Sequence, residues 1–163
     1  MKRQLVIFDF DGTLSRADTM LAFTRFCRGN IRFFLGMACL LPVLLCYKAG
    51  WIPNWRAKEL FLIHFFRGAP LLEFQEACRR FGRDRIPGLI RPEALHQLEK
   101  HRAEGGQVVV VSASAEDWLG PWCRHMQVDL LATRLEAKQG RLTGKLDGPN
   151  CFGHEKVNRL KAA

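Results

Sequence analysis

Leu5-Val-Ile-Phe-Asp9-Phe-Asp11-Gly-Thr-Leu14 decides how the rest of the chain is read. Four apolar residues that run straight into a charge suit a short strand buried on both faces, as in a parallel sheet. Asp9 and Asp11 stand two residues apart where that strand runs out, just ahead of Gly12 and Thr13. Open α/β sheets bind ligands at this carboxyl edge. Two neighbouring carboxylates there suit a hard cation such as Mg²⁺. They also suit a division of labour in which one attacks and the other moves a proton. Asp-Gly is a common turn pair as well, so the same letters fit a solvated corner.

Further strands follow only after a long interval. Gln107-Val-Val-Val-Val-Ser112 is a second buried run, preceded by a helix with Pro92 in its first turn and a Gly105-Gly106 stop. Residues 115–126 read as a helix, with Ser114 as N-cap and Asp117 as the acid of a capping box. Val128–Thr133 reads as a third strand. Thr133–Lys138 and Arg141–Leu146 alternate around Gln139-Gly140 and suggest a hairpin, and a last helix begins near Gly153. This order predicts an α/β fold with a parallel, Rossmann-like sheet. Residues 18–90, of helical pattern throughout, form a helical cap inserted after the first strand. Residues 1–17 and 91–163 form the core.

Three stretches, Asp9-Phe-Asp11-Gly-Thr13-Leu14, Val108–Ser112 and Gly153-His-Glu-Lys156, occur in the order of the haloacid-dehalogenase superfamily's first three motifs. With the helical insertion, the chain resembles that superfamily's phosphoserine-phosphatase-like branch. The resemblance implies a phosphatase in which Asp9 becomes an aspartyl-phosphate. Asp11 would protonate the leaving oxygen and later activate water. Mg²⁺ would be held by the Asp9 carboxylate and the Asp11 carbonyl. Ser112 would bind a phosphoryl oxygen and Lys156 would balance its charge, with Gly12, Thr13 and Ala113 beside the substrate. Phosphoryl transfer asks mainly for such positioning and charge compensation. Read alone, Ser112 also fits a helix cap and Lys156 a solvated helix residue. Asp11 separates the chain from halide-releasing relatives, which lack an acid at that position.

Asp18 falls where the branch has an acid that meets the substrate's amine, although the helix N-cap is the preferred reading. The superfamily's fourth motif, an acidic pair on the next strand, has no counterpart before Ala163. The expectation is therefore a chain truncated before that motif, with a non-catalytic fragment as the alternative reading. A mutase or phosphotransferase sharing Asp9 is a further one.

Ile31–Tyr47 carries one charge, Arg32, and reads first as a buried helical hairpin of the cap. Its other reading is an interfacial helix on anionic lipid. With flanking bases and Cys151-Phe-Gly-His-Glu-Lys156, the chain is also similar to bacterial phosphatidylglycerophosphate phosphatases. That resemblance implies a lipid phosphate in place of a small metabolite, with peripheral contact at the inner membrane face. The net charge of +9 lies mainly in the first hundred residues, without dense basic runs. No nucleic-acid partner is expected. Six scattered cysteines without C-x-x-C spacing suit buried, reduced thiols in a cytoplasmic protein. The five histidines read as structural. The N-terminus lacks the pattern of a signal peptide.

Overall fold

A computed structural model describes residues 5–162. Strand β1 (Leu5–Phe8) is followed by five helices: α1 (Thr19–Cys39), α2 (Leu41–Lys48), α3 (Asn54–Phe66), α4 (Leu71–Asp84) and the single turn α5 (Ile86–Leu89). Then come α6 (Pro92–Ala103), β2 (Gln107–Ala115), α7 (Glu116–His125) and β3 (Asp129–Thr133). A hairpin of β4 (Leu135–Lys138) and β5 (Arg141–Leu146) precedes α8 (His154–Ala162).

The parallel sheet has the order β1-β2-β3, with Phe8 opposite Val110 and Ser112 opposite Ala132. Strand β2 is central and buried on both faces, which is why it reads as unbroken valine. Val108 and Val110 join the main core, while Val109 and Val111 pack with Cys151, Leu131 and Leu160 on the other side. The hairpin is a separate antiparallel pair.

The main core runs without interruption from the helices into the sheet. Phe23, fully buried on α1, sits at its centre. Its ring lies 5.0 Å from Trp118, 5.2 Å from Phe81, 5.5 Å from Phe74 and 5.6 Å from Phe66. Two close backbone approaches tie the layers together. A β-carbon on Gly82 of α4 would meet Pro121 of α7 at 2.8 Å. One on Gly144 of β5, already at φ +82°, would meet the backbone of Ile63 on α3 at 2.6 Å. Only glycine permits that docking.

Several local expectations change. The N-cap of α7 is Ala115, with no side-chain cap bond, so neither Ser114 nor Asp117 serves as drawn from the sequence. Strand β2 instead continues to Ala115 through an irregular register after Ser112, which turns Ser114 toward β1. Ile31–Tyr47 is not a buried hairpin. Helix α1 breaks at Gly29 (φ +74°, ψ 169°), a conformation reserved for glycine. Beyond it, α1 and α2 meet at a 55° bend, with Ile31, Phe34, Leu35, Leu41 and Leu45 exposed. Only Phe33, Gly36 and Leu40 of this stretch are buried. No single helix among the described residues is long and apolar enough to cross a membrane. Among the six free thiols, Cys78, Cys123 and Cys151 are buried, but Cys39 is exposed, against the expectation of buried cysteines. Burial pushes the Cys27 and Cys123 thiols up, to about 11 and about 12, which keeps them protonated and unreactive.

Candidate active site

Strand β1 runs parallel to β2 and ends at Phe8, opposite Val110, so Asp9 and Asp11 come to the same edge as Ser112 and Ala113. A cavity of about 430 Å³ opens there, lined on the sheet side by Asp9, Asp11, Ser112, Ala113 and Ser114. Lys156 reaches it from α8, and Asp18, Asn54 and Lys58 from the helices. Sequence-expected residues from three distant stretches thus share one wall. Gly12 and Thr13 do not join them: they form an exposed turn after Asp11 and stand outside the lining.

Asp9 keeps its carboxylate half-exposed at the mouth. Lys156 Nζ lies 2.8 Å from its Oδ2, and the Phe10 backbone N–H donates to Oδ1 at 2.8 Å. Both contacts fix the carboxylate's orientation. The Asp11 carboxyl is far less accessible. Thr19 N–H donates to Oδ1 at 2.9 Å and the Ser114 hydroxyl donates to Oδ2 at 2.5 Å. The Thr19 hydroxyl lies 2.9 Å from Ser114 Oγ, and Trp118 Nε1 donates to Thr19 Oγ1 at 3.3 Å. Burial raises the Asp11 carboxyl above the ordinary carboxylate range, opposed by its bonds from Ser114 and Thr19. A carboxyl so raised is suited to hold a proton and deliver it.

Ser112 accepts the Ser114 N–H on its Oγ at 3.1 Å, which leaves its own hydroxyl proton for an anion in the cavity. Asp18 is the N-cap of α1, bonded to Leu21 N–H at 3.1 Å, and it also borders the cavity.

Lys58 was not singled out from the sequence. It donates to the Ala113 carbonyl at 2.6 Å and to Asn150 Oδ1 at 2.7 Å. Asn150 in turn donates to Asn54 Oδ1 at 2.8 Å, and the Thr133 hydroxyl lies 3.0 Å from Asn150 Oδ1. The available signal was spacing: Asn54, Lys58 and Phe61 share one face of α3, and all three line the cavity.

Mg²⁺ takes one or two protein carboxylates and completes its shell with water and phosphate oxygens. No cluster of three or more His, Cys, Asp or Glu side chains is gathered among the described residues. The half-exposed Asp9 carboxylate beside Asp11 fits an ion held jointly with a phosphorylated substrate.

A family model of haloacid dehalogenase-like hydrolases matches residues 6–163. The chain belongs to that family. CicA of Caulobacter vibrioides is 36% identical to this hydrolase over 159 residues, covering 96% of the chain and 71% of CicA. A probable phosphatase of Mycobacterium tuberculosis is 27% identical over 164 residues, covering 98% of the chain and 56% of that protein. Among solved structures, a protein of unknown function from Bordetella pertussis superposes with a TM-score of 0.81 at 26% identity, over 99% of this chain and 74% of that one. Substrate-bound phosphoserine phosphatase superposes with a TM-score of 0.67 at 20% identity, over 99% and 70%, a likeness of fold.

Burial lowers the Lys58 ammonium of the hydrolase to about 8, while Asp18 and Asp11 pull it up and Lys156 and the Cys151 thiol stand nearby. An unfolded lysine titrates near ~10.4, so between about 8 and that value the unfolded chain holds the extra proton and stability rises with pH. Affinity for an anion runs the other way. It is strongest below about 8, where Lys58 is charged. The pH profile of kcat/KM should fall as pH rises through about 8 and should lose that limb in Lys58→Gln. An unchanged limb in the variant would assign it elsewhere.

Proposed function

We propose that this hydrolase cleaves a phosphate monoester with Mg²⁺ through a phosphoryl group carried on Asp9. The observation that carries the reading is the half-exposed Asp9 carboxylate held by Lys156 at 2.8 Å, two residues from a partly buried Asp11 whose pKa burial raises. Asp9 Oδ attacks phosphorus, and the phosphorus–oxygen ester bond breaks as Asp11 protonates the leaving alkoxide. Asp11 then takes a proton from water, which attacks the acyl phosphate and regenerates Asp9. Lys156 and the Ser112 hydroxyl compensate the phosphoryl oxygens, and Lys58 adds positive charge on the facing wall. Mg²⁺, held by Asp9 and Asp11, would supply further charge compensation at the phosphoryl oxygens.

The phosphatase named in the mycobacterial relative and the phosphoserine-phosphatase fold support this chemistry. A second reading, a phosphate-binding protein without turnover, draws on the small number of acidic side chains at the site.

The test is a phosphate-release assay on p-nitrophenyl phosphate with and without Mg²⁺, followed by acid quench and search for a hydroxylamine-labile phosphoprotein. Release that stops on chelation, together with a labile adduct, is expected. Phosphate binding without release supports the second reading, and transfer of the group to an added alcohol makes the chain a phosphotransferase.

A further inference from the structure

Most of the large exposed apolar residues of the helices belong to the α1–α2 elbow and the segment after it; Leu72 on α4 and Val157 on α8 stand apart. Ile31, Leu35, Leu41, Leu45 and Trp51 are between 54% and 79% exposed, and Phe34 and Trp55 flank them. Scattered exposed leucines need no explanation, but a contiguous set this large does. Helix α2, Leu41–Lys48, is apolar nearly all round and has no buried residue. A helix of that kind belongs inside a core or against a lipid phase.

Charge identifies the occupant. From Thr19 to Lys58 the chain contains no Asp or Glu, against six Arg and Lys. Arg25, Arg32 and Lys48 are exposed around the elbow. Trp51 and Trp55 follow α2, and tryptophan favours the level of lipid headgroups. Apolar residues ringed by bases, with tryptophans at the margin, complement an anionic bilayer surface. The 55° bend and the lengths of α1 and α2 suit helices lying in that surface.

The same elbow is a wall of the catalytic cavity. Met37, Leu44 and Tyr47 line it opposite Asp9 and Lys156, together with Met20, Leu21 and Phe61. Leu41 and Leu45 lie on the outer side of the helix whose inner side carries Leu44. The surface that would meet lipid and the surface that would meet substrate are thus two sides of one short helix.

We infer that the α1–α2 elbow docks on an anionic lipid surface and brings the cavity to phosphate monoesters that carry an apolar tail. The choice of substrate rests on the phosphatase reading above; the docking does not. On this geometry the tail lies along Met37, Leu44 and Tyr47 while the phosphate reaches Asp9.

The experiment uses the whole chain and the triple variant Ile31→Ser, Leu45→Ser, Trp51→Ser, whose changes are all at exposed positions outside the cavity lining. Both proteins are sedimented with vesicles of phosphatidylcholine, with and without phosphatidylglycerol. Both are assayed on p-nitrophenyl phosphate and on phosphatidic acid in the same vesicles. The wild type should bind the anionic vesicles alone and release at high salt. The triple variant should bind on the order of 100-fold more weakly. It should lose hydrolysis of phosphatidic acid and keep that of the soluble ester.

Soluble-ester activity without vesicle binding overturns the docking. So does a wild-type dimer that the triple variant splits into monomers, because a second copy then covers the elbow. Vesicle binding with neither ester hydrolysed upholds the docking and removes the phosphatase reading.

Discussion

Asp9→Asn should abolish phosphate release and leave the fold intact. Asparagine has the same shape, and its side-chain oxygen can still accept the Phe10 N–H that Asp9 accepts at 2.8 Å. What disappears is the negative charge facing Lys156 and the oxygen nucleophile itself. An amide does not attack phosphorus at a useful rate, so the loss should be at least on the order of 10⁴-fold in kcat. The hydroxylamine-labile adduct should vanish with it. Lys156→Met should be milder, on the order of 10² to 10³-fold, because it removes charge compensation and leaves the nucleophile. Matching circular dichroism spectra and thermal midpoints would separate chemistry from folding. Turnover in Asp9→Asn within tenfold of wild type would place the phosphoryl group on some other residue.

Phe23→Ala should be the most damaging single truncation for stability. Phe23 is fully buried and contacts four other aromatic rings, so alanine there leaves a cavity that rigid neighbours cannot fill. Truncations of this kind cost about 3–5 kcal/mol. In a chain of this length that lowers the thermal midpoint by roughly 10 °C or more. The effect should also reach the chemistry. Trp118 stacks on Phe23 and donates to the Thr19 hydroxyl, and Thr19 and Ser114 hold the Asp11 carboxyl. Molecules that remain folded should therefore turn over more slowly than wild type. Phe23→Leu, which fills most of the space, should recover most of both losses. A cost below about 1 kcal/mol for the alanine variant would mean that the aromatic cluster is not the centre of the core.

Much of this arrangement was legible because it is written in short stretches. Parallel strands declare themselves as apolar runs, and β1, β2 and β3 lie within a few residues of their expected places, but β1 is not buried on both faces as expected: Leu5 and Ile7 are exposed. The hairpin around Gln139-Gly140 and the capping of α1 by Asp18 are equally local. Asp9 and Lys156 were paired only through the order of motifs, and the ion pair follows from the fold. Lys58 was missed for a physical reason. Its partners Ala113 and Asn150 are 55 and 92 residues away, and a lysine on a helix ordinarily points into water. Ser114 was misread because a serine before a helix usually caps it, whereas an irregular strand end here turns it onto Asp11. The exposure of Ile31–Tyr47 was misjudged because hydropathy reports only that a helix avoids water, not which surface shelters it.

The break at Gly29 divides α1 into halves with separate duties. The first half carries Phe23 and Thr24 into the core and holds Asp11 through Thr19. The second half, with α2, furnishes Met37, Leu44 and Tyr47 to the cavity that Asp9 and Asp11 line from the sheet side. The break thus lies between the part of α1 that grips Asp11 and the part that walls the cavity, which touches the site's polar network through Tyr47 and Asn54. Replacing that one glycine, whose conformation is closed to other residues, should disturb the elbow before it disturbs the Thr19–Asp11 bond.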